Sequence, residues 1–312
     1  MSRSLRRSLV GRNFLSLIHL SPEEFEYLIE LSMDYKKGRI SGEPLKGKTV
    51  ALIFEKPSTR TRVSTSVAIS ELGGYPLELP AGALQIARGE TLRDTALVLS
   101  RYVHAIAARV KKHETLMELA KWADVPVVNM LSDRYHPMQA LADIMTMRER
   151  FNDKKLKVVF VGDGGANTSH SLMLASALQG YHYVVASPKE YSPDLTILEG
   201  AKEIASKTGG LIEVIDDPKE AVRDANVIYT DTWVSMGVPD VERRMRIFPP
   251  YQVNEAFLSL ADEHVIVMHC QPWFLGQEIT EKVAYGPHSV AFEQAENRLH
   301  TAKAIFKTIL VP

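Results

Sequence analysis

Short apolar runs alternate with helical stretches along most of the chain, and this alternation limits the possible folds more than any other feature. The spacing predicts strands at residues 49–54, 75–79, 105–109 and 125–130, and then at 157–162, 183–187, 212–215, 226–230 and 264–269. Strands separated by helices form parallel sheets, because the chain must cross over before it can add a parallel neighbour. The pattern therefore predicts an α/β fold with mainly parallel sheets.

A long helix predicted at residues 137–151 separates the two series of strands. The chain has 312 residues, whereas one domain typically contains about 150. We therefore expect two doubly wound domains, residues 1–148 and 149–312, with the C-terminal helix packed back onto the first domain. Ligands bind such folds where strands end and helices begin, so we expect the active site in the cleft between the two domains.

Composition excludes several classes of partner. The 37 Lys and Arg residues balance 38 Asp and Glu residues, which gives no reason to expect a nucleic acid. The single cysteine, Cys270, cannot form an internal disulfide, and no Cys/His cluster has zinc-ligand spacing, so we expect a reducing cytoplasm and no metal. No apolar run is long enough to span a membrane. Arg3, Arg6, Arg7 and Arg12 are interpreted as a solvated basic arm, with a remnant of a transit peptide as the alternative.

Two glycine-containing segments resemble nucleotide-binding motifs but stand in the wrong context. Residues 42–49 (GEPLKGKT) match a phosphate-binding loop, yet such a loop follows a strand and this one precedes a strand. Residues 162–167 (GDGGAN) do follow a strand, but Asn167 occupies the position of the third glycine, and the next strand ends without an acid for a ribose. We therefore expect neither a nucleotide nor NAD as a cofactor. The amide of Asn167 would instead suit a small zwitterion at the start of a helix.

The first strand is followed by Ser58-Thr59-Arg60-Thr61-Arg62 at the start of a helix. Helix capping would use one hydroxyl group, which leaves the other hydroxyls and both guanidinium groups without a structural purpose. Hydroxyl, guanidinium and backbone N–H donors at a helix N-terminus bind phosphate well. This turn is the predicted phosphate site.

Other strand ends and helix starts also carry polar or charged groups. Arg109 ends one strand. His136 starts the long helix, where the positive end of the helix dipole favours a neutral imidazole that donates to a carbonyl oxygen. Asp231 follows another strand and would hold an ammonium group. Cys270 also follows a strand, although a small buried hydrophobic residue would give the same pattern.

Five motifs together resemble the ornithine carbamoyltransferases of the aspartate/ornithine carbamoyltransferase family. They are Ser58-Thr59-Arg60-Thr61-Arg62, His136-Pro137-x-Gln139, Asp231-x-Trp233-x-Ser235-Met236-Gly237, His269-Cys270-x-Pro272 and Ala295-Glu296-Asn297-Arg298. The likeness runs from Gly11-Arg12-Asn13-Phe14-Leu15 to Arg298-Leu299-His300 and covers nearly the whole chain. The conjunction is far more specific than any single motif.

The resemblance implies a binding site for carbamoyl phosphate. The residues that would bind it are Ser58, Thr59, Arg60, Thr61, Gln85, Arg109, His136, Gln139, Cys270, Gln271 and Arg298. The first four would hold the phosphate, and Arg109, His136 and Thr61 would donate to the carbonyl oxygen. Gln139 would contact the carbamoyl amine, and Gln85 would reach the site of a neighbouring subunit. The resemblance thus implies that this protein forms a trimer or a multiple of trimers.

The resemblance also implies the second substrate and the reaction. Asn167, Asp231, Ser235 and Met236 would hold the α-amino and α-carboxylate groups of L-ornithine. Its δ-amine would attack the carbamoyl carbon, and L-citrulline and phosphate would be the products. Arg109, His136, Cys270 and Arg298 are the expected catalytic residues. Neither a metal nor a cofactor is required.

One motif departs from the family pattern and leaves alternatives open. The family usually has Leu-Pro-Ala after His-Cys, whereas this chain has Gln271-Pro272-Trp273. A contact through the backbone carbonyl of Gln271 would tolerate the change, but a side chain in the pocket would shift acceptor preference. Putrescine, an N-acylornithine or aspartate are alternative acceptors, and a non-catalytic anion-binding relative is the alternative of another class. The direction of the reaction in the cell stays open.

Overall fold

The computed structural model describes residues 8–152, 154–235 and 240–312, without the side chains of Ala83 and Ala87. It divides into two units. The first unit contains the described residues up to Met145 together with Glu296–Pro312, and the second unit is Thr146–Ala295. In the part of the chain that is described, no helix is long and apolar enough to cross a membrane.

The first unit is built on a four-stranded parallel sheet with the strand order β2-β1-β3-β4. Its strands are β1 (Thr49–Phe54), β2 (Tyr75–Pro80), β3 (Ala105–Arg109) and β4 (Val127–Leu131). The central strands β1 and β3 are almost entirely apolar and buried. Such strands are typical of a parallel sheet that helices cover on both faces.

Three helices connect these strands: α2 (Arg60–Glu71), α3 (Leu92–Leu99) and α4 (His113–Trp122). Helix α1 (Pro22–Lys36) precedes β1, and α5 (Pro137–Phe151) follows β4 and continues into the second unit. Two short 3₁₀ helices, Ala81–Ala83 and Gln85–Arg88, lie between β2 and α3. The sequence Ser21-Pro22-Glu23-Glu24 predicts the start of a helix, and α1 begins there: Ser21 Oγ accepts from the backbone N–H of Glu24, and the Glu24 carboxylate accepts from the N–H of Ser21.

The second unit is built on a five-stranded parallel sheet with the order β7-β6-β5-β8-β9. Its strands are β5 (Lys157–Val161), β6 (His182–Ala186), β7 (Leu211–Ile215), β8 (Val227–Thr230) and β9 (Ile266–His269). Its helices are α6 (Asn167–Leu178), α7 (Leu195–Thr208), α8 (Pro218–Ala221), α9 (Val241–Ile247), α10 (Glu255–Leu258) and α11 (Glu281–Ala284). Lys189–Tyr191 and Pro249–Tyr251 are 3₁₀ helices, and α12 (Ala291–Leu310) begins in this unit and continues into the first.

The predicted fold class, with two mainly parallel α/β sheets, is confirmed. Strand β4 starts at Val127 rather than at residue 125, because Pro126 has no N–H to donate to a ladder. The sequence pattern predicts a helix over residues 91–103, whereas helix α3 ends at Leu99. The N–H groups of Arg101 and Tyr102 bond to carbonyls only three residues back, so the chain leaves the α-helix in a 3₁₀-type turn.

Candidate active site

Three strands of the first sheet end side by side. Phe54 at the end of β1 pairs with Arg109 at the end of β3, and Arg109 pairs with Leu131 at the end of β4. The N–H of Glu55 donates to Arg109 O at 2.9 Å, and the N–H of Val110 donates to Leu131 O at 2.9 Å. The turns that carry the predicted phosphate ligands, Arg109 and His136 are therefore neighbours at one sheet edge.

The predicted phosphate turn leads into α2. Thr59 occupies the N-cap position, yet its side chain makes no capping hydrogen bond, and the first turn of α2 contains no acidic residue. Helix capping thus leaves the Thr59 hydroxyl unused, and the positive helix end has no carboxylate partner in that turn. Arg62 makes contacts away from the turn, with Glu78 at 3.5 Å and over the ring of Phe54. These features support an anion at this turn.

Arg298 joins two other predicted residues into one buried network. Its Nη2 donates to Thr61 Oγ1 at 3.0 Å, and its Nη1 donates to Gln139 Oε1 at 2.6 Å. The other end of the Gln139 amide donates to Asp143 Oδ1 at 2.8 Å. Arg298 is only 2% exposed, so these bonds hold its guanidinium group in a fixed orientation. It lies on α12, far from Thr61 and Gln139 in sequence.

His136 precedes α5 and is buried. Burial holds the pKa of His136 well below its usual value, and the positive charges of Arg298, Arg109 and Arg60 lower it further. The ring is therefore neutral near pH 7. From the sequence, a neutral ring is expected because of the helix start, whereas in the structure desolvation and three arginine charges lower the pKa of His136. A neutral imidazole can donate one hydrogen bond to a carbonyl oxygen.

Gln85 lies apart from this network. It is exposed on the 3₁₀ helix Gln85–Arg88, which ends at Gly89 with a φ of 97°. Its contact with a neighbouring subunit stays a prediction.

The second sheet also brings predicted residues together at the carboxyl ends of its strands. Val161 of β5 pairs with Thr230 of β8, and Thr230 pairs with His269 of β9. The residues that follow these strands include Asp231 and Cys270, and Asn167 is the first residue of α6. All three side chains are half-buried.

Asp231 is the centre of this second group. Its Oδ2 accepts from Thr168 Oγ1 at 2.8 Å, and its Oδ1 accepts from the N–H of Thr232 at 2.8 Å and from Cys270 Sγ at 3.3 Å. These bonds orient the carboxylate while leaving it partly accessible. Thr168 was not predicted as a site residue, although its position next to Asn167 was the available signal.

Asp231, His269 and Cys270 are also the described residues whose ligand atoms cluster closely enough to hold a metal ion, within 4.8 Å of one another. Both ring nitrogens of His269 already have partners. Nδ1 accepts from the N–H of Gln271 at 2.8 Å, and Nε2 lies 3.2 Å from Glu278 Oε1. A metal would have to break one of these bonds, so we interpret the cluster as a hydrogen-bonded group.

Arg244 connects two turns of the second unit and was missed by the sequence analysis. Its Nη1 donates to Asp163 Oδ2 at 2.6 Å and to Trp233 O at 2.8 Å, and its Nε donates to Asp240 Oδ1 at 2.9 Å. It therefore ties the turn before Asn167 to the segment after β8. Ser235 in that segment is exposed, and Met236 and Gly237 lie outside the described residues. A charged residue on a short helix gives no sequence signal for such a role.

The unusual Trp273 belongs to an aromatic cluster. Its ring packs edge-on against His269, Tyr285 and Phe292, with centroids 5.9, 5.1 and 5.8 Å away. Gln271 has a φ of 56° and a half-buried side chain. The departure at Trp273 is thus accommodated by contacts within the second unit.

Models of two consecutive domains of one family match the chain. The carbamoyl-phosphate-binding domain of aspartate/ornithine carbamoyltransferases matches residues 12–149, and their aspartate/ornithine-binding domain matches residues 154–309. The chain belongs to the aspartate/ornithine carbamoyltransferase family. The family predicted from the motifs is thereby confirmed.

Individual members of this family are similar to this chain over nearly their whole length. An ornithine carbamoyltransferase of Hyperthermus butylicus is 54% identical over 310 residues, which are 97% of this chain and 99% of that protein. One of Pyrococcus horikoshii is 49% identical over 308 residues, which are 97% of each chain. The solved structure of ornithine carbamoyltransferase from Pyrococcus furiosus superposes with a TM-score of 0.93 at 48% identity, covering 97% of this chain and 98% of that one.

Proposed function

We propose that this protein is an ornithine carbamoyltransferase, which transfers the carbamoyl group of carbamoyl phosphate to the δ-amine of L-ornithine and releases L-citrulline and phosphate. Full-length similarity to enzymes with this name supports the assignment. The deciding structural observation is the oriented carboxylate of Asp231 in the domain that binds the amino acid. A carboxylate attracts the ammonium groups of ornithine and repels the second carboxylate of aspartate.

The first unit would supply the carbamoyl phosphate site. Ser58, Thr59, Arg60 and Thr61 bind the phosphate at the start of α2, and Arg298 completes the site through its bond to Thr61. Arg109 and His136 donate to the carbonyl oxygen. Gln139 contacts the carbamoyl amine. Gln271 belongs to the second unit, and its role toward this substrate stays a prediction from the family resemblance. Buried donors with fixed orientations stabilise developing negative charge without first having to reorganise.

The second unit would supply the ornithine site. Asn167 and Ser235 bind the α-carboxylate and α-amino end of ornithine together with Met236. Asp231 attracts the ammonium group, and Cys270, whose Sγ donates to Asp231, lies beside the reacting amine. These roles follow the family motifs, and the observed bonds among Thr168, Asp231 and Cys270 support them.

The carbamoyl group passes directly from one substrate to the other, with no covalent intermediate on the enzyme. The δ-ammonium of ornithine must first lose a proton, which costs on the order of 4 kcal/mol near pH 7 because its pKa is near 10.4. The neutral amine then attacks the carbamoyl carbon, and the negative charge moves to the carbonyl oxygen. Arg109 and neutral His136 donate to that oxygen in the tetrahedral intermediate. The carbonyl re-forms as the C–O bond to phosphate breaks, and the attacking nitrogen gives up its extra proton to the departing phosphate. Holding the two substrates in contact offsets part of the free-energy cost of the first deprotonation.

The acceptor is tested with carbamoyl phosphate and a panel of amines that contains ornithine, putrescine, N-acetylornithine and aspartate. We expect turnover with ornithine alone, because Asp231 and the α-end ligands require a free amino acid with a cationic side chain. Phosphate release and formation of the ureido product are measured together. Turnover with putrescine but not ornithine would refute the assignment, as would the absence of any ureido product.

We also propose a homotrimer, or a multiple of trimers, in the cytoplasm. Val63 and Val67 are 55% and 37% exposed on one face of α2, and Tyr75 on the edge strand β2 is 63% exposed. Exposed apolar residues on α2 and on the edge strand support a subunit contact, and the family resemblance implies that Gln85 reaches a neighbour. Sedimentation equilibrium should give a mass that is a multiple of three chains, and a monomer or dimer would contradict the proposal.

A further inference from the structure

His136 must be held accurately if it donates to a carbonyl oxygen, and the turn that precedes it is held by a residue outside the motifs. That turn runs from Ser132 to Tyr135 and is closed by a backbone bond from the N–H of Ser132 to Tyr135 O at 2.9 Å. Ser132 is completely buried, and its Oγ also accepts from the N–H of Tyr135 at 3.2 Å. The position of His136 therefore depends on the placement of Ser132.

The ring of His113 contacts this turn at two points. His113 Nδ1 lies 2.9 Å from Ser132 Oγ, and the His113 and Tyr135 rings pack edge-on with centroids 5.0 Å apart. His113 is only 6% exposed, and burial lowers its pKa, so the ring is neutral near pH 7. A neutral, buried imidazole is a permanent partner for a serine hydroxyl.

The backbone around His113 is tied to the same turns. The N–H of His113 donates to Asp133 Oδ1 at 2.8 Å, and the N–H of Lys111 donates to Glu55 Oε2 at 2.6 Å. The segment after Arg109 thus bridges the end of β1 and the end of β4. Because these bonds use backbone N–H groups, they persist when the His113 side chain is changed. Substitutions at this position therefore isolate the contribution of the ring.

We propose that His113 is a positioning residue, which orients His136 toward the carbonyl oxygen through the Ser132 hydroxyl. The inference rests on the proposed carbamoyltransferase function. His113 itself touches no substrate in this scheme. The phosphate ligands lie on a different turn, at the start of α2, so loss of the His113 bond should affect turnover more than substrate binding.

Two variants separate the hydrogen bond from the ring packing. His113→Phe keeps an aromatic ring against Tyr135 but has no group for Ser132, whereas His113→Asn retains a polar group near the place of Nδ1. We expect His113→Phe to lower kcat by about 10-fold to 100-fold, the usual cost of misplacing a catalytic group. KM for both substrates should change by less than about twofold. His113→Asn should recover most of the lost kcat.

A double-mutant cycle with His136 is the decisive measurement. If His113 acts through His136, His113→Phe should cause no further loss of kcat in a His136→Ala background. The matched control is Leu119→Ala, which removes buried packing from the same helix α4. The apolar cluster around Leu119 includes no residue of the turn. Leu119→Ala should lower the thermal midpoint at least as much as His113→Phe and leave kcat unchanged.

The outcomes distinguish this inference from the proposed function. A wild-type protein that forms no citrulline overturns the function itself. An active wild type with an unaffected His113→Phe variant overturns the inference alone. Equal losses of kcat from His113→Phe in the wild-type and His136→Ala backgrounds also overturn it. So does a loss of kcat in Leu119→Ala as large as that in His113→Phe, because kcat would then follow the stability of the fold.

Discussion

A His136→Ala variant is expected to turn over about 100-fold to 1000-fold more slowly than the wild type, which is the usual effect of removing one donor from an oxyanion site. The physical reason is that the buried, neutral ring donates to an oxygen that gains charge only as the amine attacks. KM for carbamoyl phosphate should change little, because the phosphate ligands remain. Steady-state measurement of citrulline formation gives both parameters.

The same variant tests the protonation state of His136. The pKa of His136 in the folded protein lies well below 6.5, whereas an unfolded chain titrates near that value. As the pH falls below 6.5 the unfolded state takes up the proton first, so His136 destabilises the fold in acid and has no such effect at higher pH. His136→Ala should therefore lose less stability than the wild type between pH 7.5 and pH 5.5. An equal or greater loss would contradict the neutral assignment.

An Asp231→Asn variant is expected to raise KM for ornithine by about 100-fold. Truncating one partner of a desolvated charge pair costs about 2–5 kcal/mol, and about 2.8 kcal/mol corresponds to a factor of 100. The amide keeps the size of the side chain and can still accept from Thr168, so the change removes charge rather than shape. Carbamoyl phosphate binding should be unaffected, because its ligands lie in the first unit. Initial rates with each substrate varied separately test this division.

Asp217→Asn is the matched control for that experiment. Asp217 lies in the same unit, and its carboxylate accepts from the N–H of Lys219 at the start of α8. Asn and Asp are about equally favourable at the N-cap position, so this variant should behave like the wild type. If Asp231→Asn raised KM for ornithine and KM for carbamoyl phosphate equally, the assignment of Asp231 to ornithine would be wrong.

Much of the fold could be predicted because each strand carries its own signal. Runs such as Thr49–Phe54 and Lys157–Val161 are mainly apolar and buried, as is typical of parallel sheets that helices cover on both faces, and such a run cannot serve as an amphipathic surface helix. Local rules also located the start of α1 at Ser21. Element ends were less predictable, as at Val127 and Leu99, because they depend on individual hydrogen bonds rather than on a repeating pattern.

Some residues of the candidate site could be predicted from the local sequence pattern, and others could not. The turns at Ser58, Asp231 and Cys270 could be identified because parallel strands deliver their following residues to one sheet edge. Arg298 could be assigned only through the family resemblance, since its partners Thr61 and Gln139 are distant in sequence. Contacts of this kind depend on tertiary packing, which no local pattern encodes.

The class of fold, the turns that carry chemistry and, through the combined motifs, the family can be predicted from the amino-acid pattern. The side chains that support those turns become visible only in the folded chain: Arg244 between Asp163 and Trp233, Thr168 on Asp231, and His113 on Ser132. Tertiary packing also decides the charge of His136, because burial and three converging arginines lower its pKa. The physical reason is that periodicity and turn chemistry act between near neighbours, whereas desolvation and side-chain contacts arise only when distant segments pack together.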